Sequence, residues 1–147
     1  MMDLGRRRRR GAARPLVLLV DADASSRRVI AAALLAAGLD VRAAKNGLEL
    51  DAQISEAMAV PRVGTVPSAI VAVLRHGEQT IESLCRLCVC EWGIPVVAVT
   101  ALGDEEAEAR ADRMGAAYAI RQLDLDRIRE AVDEVLDSEP PASLRAG

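Results

Sequence analysis

Two rhythms of apolar and polar residues alternate along this chain. Short, largely apolar runs predict strands over Leu16–Val20, Leu39–Ala44, Ser68–Leu74, Ile94–Thr100 and Ala117–Ile120. Segments with helical spacing lie between them. In Ala24–Ala37 the apolar positions are Val29, Ile30, Ala33, Leu34 and Ala37. The last helix, Asp124–Leu136, carries the apolar stripe Leu125, Ile128, Val132, Val135 and Leu136, which marks one face of an amphipathic helix. Helices are also predicted over Leu48–Ala59, Gln79–Trp92 and Asp104–Met114.

The punctuation agrees with these boundaries. Asp23 or Ser25 can cap the first helix, and Gly38 suits its stop. Asn46-Gly47 signals a turn, Gly93 ends the third helix, and Gly115 the fourth. Acids open the fourth helix at Asp104, Glu105 and Glu106, and Arg110 and Arg113 close it, which complements the helix dipole. Val60–Pro67, with two prolines and a glycine, reads as a loop.

Strands that are apolar throughout are buried on both faces. Strands that alternate with helices are parallel, because a tight turn cannot join parallel neighbours. The expected fold is a three-layer α/β sandwich, a doubly wound five-stranded parallel sheet. It spans residues 15–137, between a basic arm (1–14) and a tail (138–147).

Composition changes this picture little. With 51% hydrophobic and 28% charged residues, the chain is neither disordered nor fibrous. It has no Phe, one Trp and one Tyr, so the core must be built from Ala, Val, Leu and Ile. The apolar runs fall far short of the ~20 residues that a membrane span requires. Pro15–Val20 is too short for a signal peptide core and runs into Asp21, so the expected location is the cytoplasm.

The net charge is −3, yet the arm holds the unbroken run Arg6–Arg10. Such a run can grip a phosphate backbone. No aromatic residues interleave it and the body is acidic, so nucleic-acid binding is the lesser alternative. Cys85, Cys88 and Cys90 form C-x-x-C-x-C without an obvious fourth zinc ligand. They read as small core residues, and the lone His76 as a loop residue.

Function in doubly wound sheets sits at the carboxyl ends of the strands. The positions to read are therefore Asp21–Asp23, Val73–Gly77, Thr100-Ala101 and Arg121-Gln122. No acid lies in Ser68–Gly77, and neither G-x-G-x-x-G nor a P-loop occurs.

At these positions the chain resembles the receiver domain of two-component response regulators. The stretches that carry the resemblance are LVLLVDADASSRRVIAAALLAAGLDVRAAKNG, IPVVAVTALGDEEAEARADRMGAAYAI and DLDRIREAVDEVL. The resemblance implies the flavodoxin-like strand order 2-1-3-4-5. It places Asp21 on the first of two acids that help to hold Mg²⁺, with Ala22 on the second and Asp23 beside it. Thr100 matches the hydroxyl that ends the fourth strand, and Arg121 the usual Lys. Tyr118 takes the aromatic switch position.

The resemblance places the phosphoacceptor position at Val73, or at Ala72 if the gap falls differently; alanine offers no more chemistry than valine. A valine is neither a nucleophile nor a metal ligand, and Asp21 with Asp23 is a poor set for Mg²⁺. Both acids therefore read as caps of the first helix rather than as a residual cation site. Arg121, without its counter-ion, is expected to pair with Asp21. The expectation is a degenerate receiver, not an enzyme, that needs no cofactor. Such a module would dock on a histidine kinase, a phosphotransfer protein or another regulator through Arg27, Arg28 and Ile30 of the first helix and through the face around Asp104–Leu136. It would dimerise, if at all, through the Asp104–Leu136 face. The alternative is a phosphorylatable regulator that uses a displaced acid such as Asp23.

Overall fold

The computed structural model describes residues 14–60, 66–75, 79–100 and 105–137. The elements follow the predicted alternation. They are β1 Leu16–Val20, α1 Ala24–Ala36, β2 Asp40–Ala44, α2 Gly47–Ala59 and β3 Ala69–Val73. Then come α3 Gln79–Trp92, β4 Val96–Val99, α4 Glu105–Arg113, β5 Tyr118–Ile120 and α5 Leu125–Asp137. The five strands form one sheet in the order β2-β1-β3-β4-β5, and every pairing is parallel.

The inner strands β1, β3 and β4 are buried at every residue. Their alternating side chains feed two cores. On one face Leu16, Leu18 and Val20 of β1 pack with Ile70 and Ala72 of β3 under α2, α3 and α4. On the other face Val17 and Leu19 join Val71, Val73, Val97 and Val99 under Ile30 and Leu34 of α1 and Ile128 and Val132 of α5. Only a strand covered on both sides can carry an unbroken apolar run without exposing it, which is why β1 reads LVLLV. Each fully buried Leu or Val in these layers contributes roughly 1.5–3 kcal/mol.

Local chemistry sets the helix ends. Asp23 is the N-cap of α1, its carboxylate accepting the Ser26 N–H at 2.8 Å. Asn46 caps α2 in the same way through the Glu49 N–H at 2.9 Å. Gly38 after α1 sits at φ +90°, which a side chain would strain. Gly47 opens α2 against α3, where a Cβ would stand 2.8 Å from Cγ2 of Thr80. Among the described residues no helix is long and apolar enough to cross a membrane.

Candidate functional site

The sheet register assembles the candidate site at the carboxyl edge. Val20 pairs with Ala72, so Asp21 and Val73 continue that row one step on. Val73 in turn pairs with Val99, and Val99 with Ile120. Thr100 and Arg121 therefore follow at the ends of β4 and β5. Val73 is 6% exposed and packs into the valine-rich core, so β3 ends on hydrocarbon.

Asp21 is wholly buried. Its Oδ1 accepts the Asp23 N–H at 2.9 Å and Nε of Arg75 at 2.8 Å. Its Oδ2 accepts the hydroxyl of Ser26. Nη2 of Arg75 donates to that same hydroxyl oxygen at 3.0 Å, closing a ring of three side chains. Nη1 of Arg27 donates to the Asp21 carbonyl oxygen at 2.8 Å. A buried carboxylate demands this many partners, because an uncompensated one is strongly destabilising. The hydrogen bond to Asp21 raises the Arg75 pKa further above its ordinary value. Asp23 is exposed, and the Ser26 N–H is the first reason that its pKa falls below the carboxylate norm.

Arg75 is the residue that sequence reasoning passed over. It is the first charged side chain after β3, two residues beyond Val73. A search of the strand ends for acids misses it; a search for a cation able to partner the Asp21 carboxylate would find it. Its carbonyl oxygen accepts Nη1 of Arg110 from α4 at 2.9 Å. Arg110 is 6% exposed and reaches Glu82 of α3, Nε to Oε2 3.5 Å. Glu82 also accepts Nε of Arg113 at 2.9 Å, and that bond is the largest of the influences that lower its pKa.

Several expectations need correction. Arg121 does not pair with Asp21. Its side chain is 68% exposed and its Nε lies 2.9 Å from Glu108 of α4, because Arg75 already occupies the carboxylate. Asp21 does not cap α1; Asp23 alone does, while Asp21 accepts the Asp23 N–H ahead of the helix. Ile30 offers nothing to a docking partner, since it has no exposed surface and fills the core beneath α1. Arg27 is tied to the Asp21 carbonyl, which leaves Arg28 and the half-exposed Val29 on the outer side of α1.

Thr100 is buried, its hydroxyl 3.5 Å from the Ile120 carbonyl oxygen. Tyr118 packs on the α1–α5 side of the sheet. A hydrogen bond to Glu134 of α5, with some desolvation, raises its pKa. Cys85 and Cys88 are buried, and burial pushes their thiols up to about 12 and about 11. Protonated and enclosed, they are inert core residues; Cys90 is exposed. Among the described residues no group of three His, Cys, Asp or Glu side chains could hold a metal ion. Arg6–Arg10, His76, Ala101 and Asp104 lie outside the described residues.

No protein-family model matches the chain, and no curated protein is found to be similar to it. Solved structures are. A candidate response regulator from Chloroflexus aurantiacus is 22% identical, with a TM-score of 0.69 over 85% of this chain and 99% of that one. The fold is that of response-regulator receiver domains. A response regulator from Thermotoga maritima is also 22% identical, with a TM-score of 0.68 and the same shares of the two chains. The phosphorylated cyanobacterial phytochrome response regulator RcpA is 17% identical, with a TM-score of 0.65 over 88% of this chain and 100% of that one. At such identities the receiver likeness is one of fold.

Proposed function

We propose that this chain is a receiver-like signalling module of a two-component or phosphorelay system, acting in the cytoplasm by protein contact and without conventional aspartyl phosphorylation. One observation carries the proposal: where an acceptor acid and a metal ion would be needed, the sheet edge holds Val73 and an Asp21–Arg75 ion pair. Phosphoryl transfer to a carboxylate requires that carboxylate as nucleophile, a divalent cation and further positive charge on the phosphoryl oxygens.

The donor set does not suit Mg²⁺. Both Asp21 oxygens already accept hydrogen bonds, one of them from a guanidinium that would repel a second cation. Mg²⁺ also demands near-octahedral oxygen geometry. Nor does Asp23 make a good substitute acceptor, since its carboxylate is engaged in capping α1.

Without chemistry of its own, the module would act through its surfaces. The outer side of α1 presents Arg28 and Val29. The α4–β5–α5 side presents Glu105, Glu106, Asp112, Ala119 and Leu123. Fitting partners are a histidine kinase, a phosphotransfer protein or another regulator.

The test is intact-mass measurement of the full chain after incubation with acetyl phosphate and Mg²⁺. The expected spectrum is unchanged. A species heavier by one phosphoryl group, abolished by Asp23→Asn, would establish the displaced-acid alternative instead.

A further inference from the structure

Arg75 is held at both ends, by opposite sides of the molecule. Its guanidinium is bound to Asp21 at the end of β1, 2.8 Å away, and to Ser26 in the first turn of α1, 3.0 Å away. Its backbone carbonyl oxygen is bound to Arg110 in the middle of α4, 2.9 Å away. Arg110 continues the chain to Glu82 on α3, and Glu82 returns to α4 through Arg113. A continuous series of polar contacts, passing through the Arg75 backbone carbonyl, thus runs from the strand-end cluster to the helix layer on the far side of the sheet.

We infer that Arg75 is a clamp that ties α4 to the strand-end cluster, so that an internal ion pair sets the position of α4. This rests on reading the cluster as one that takes no phosphoryl group. Two features make the clamp stiff. Asp21 has no exposed surface, so releasing Arg75 strands a buried charge. Arg110 is 6% exposed, so moving α4 would strip a buried guanidinium of the Arg75 carbonyl and of Glu82 together. A helix with two arrangements responds to whatever contact differs between them. Here that contact is permanent, and α4 and the surface it shares with β5 and α5 are kept in one arrangement.

Hydrogen–deuterium exchange on the full chain, with no phosphoryl donor present, tests the clamp separately from the proposed function. The informative protein is the double variant Asp21→Asn/Arg75→Met, in which both charges go together and no unpaired buried charge is left to unfold the domain. Charge-assisted hydrogen bonds are the strong ones, so amides of Glu105–Arg113 are expected to exchange about tenfold faster than in the native chain. Amides of Leu125–Asp137, on the other face of the sheet, should keep their native rates. Unchanged exchange in α4, or an equal acceleration in α5, overturns the clamp. Because phosphate plays no part, the clamp can fail while the mass spectrum stays clean, and it can hold if a phosphoryl group appears.

Discussion

Two arginine–carboxylate pairs stand at the carboxyl edge of the sheet with nearly equal separations. Arg75 is 2.8 Å from Asp21, and Arg121 is 2.9 Å from Glu108. Their settings differ. The Asp21 side chain is 0% exposed and also receives a hydroxyl and a backbone N–H. The Arg121 and Glu108 side chains are 68% and 29% exposed. Water competes for the second pair and screens it, so an exposed pair of this kind contributes ~0–1 kcal/mol. The first pair compensates a carboxylate that could not otherwise be buried. The interatomic distance therefore says little about what a pair does; the burial of its acid says most.

Removing each pair in turn sharpens the contrast. The largest effect is expected from Arg75→Met, which strands Asp21. The loss is about 3 kcal/mol, softened by the two hydrogen bonds that Asp21 keeps. Urea denaturation measures it, and a native-like midpoint would erase the distinction between the two pairs.

A middle case is Glu82, which serves Arg110 and Arg113 and is 18% exposed. Its folded pKa lies below the ordinary 4.5. The stability it contributes is therefore present above that value and is lost as pH falls through the folded pKa. Glu82→Gln is expected to cost about 1 kcal/mol at neutral pH and almost nothing at strongly acidic pH. Urea midpoints taken across the acid range should converge for the two proteins. Parallel curves would mean that the carboxylate charge is irrelevant.

The smallest effect is expected from Arg121→Met, about 0.5 kcal/mol or less. A loss as large as that of Arg75→Met would mean that Arg121 bears on Asp21 after all.

The fold was legible because period and burial coincide. Runs such as AIVAV in β3 have no polar side to turn toward water, so they had to be inner parallel strands. The boundaries also fell within two residues, since Asp23, Asn46 and Gly38 mark helix ends by local geometry alone. The site was only half legible. That β3 ends on hydrocarbon at Val73 could be read from the chain. That Arg75 meets Asp21 could not, because which cation reaches a carboxylate depends on how far two loops approach in space. Arg75 and Asp21 are 54 positions apart in the chain. The position of Ile30 was ambiguous for a related reason: it belongs to the apolar stripe of α1, and only the packing of α5 and the sheet shows how completely that stripe is covered.

By itself the amino-acid order determined the alternation of strands and helices, their parallel arrangement and the absence of an acid from Ser68 to Gly77. These follow from short-range periodicity and from side-chain chemistry, which any stretch of chain carries with it. Tertiary structure alone decided that Arg75 rather than Arg121 meets Asp21, and that the same arginine is gripped from α4. A buried charge takes as partner whichever group the surrounding elements bring within a few ångströms, and that distance is a property of the assembled layers.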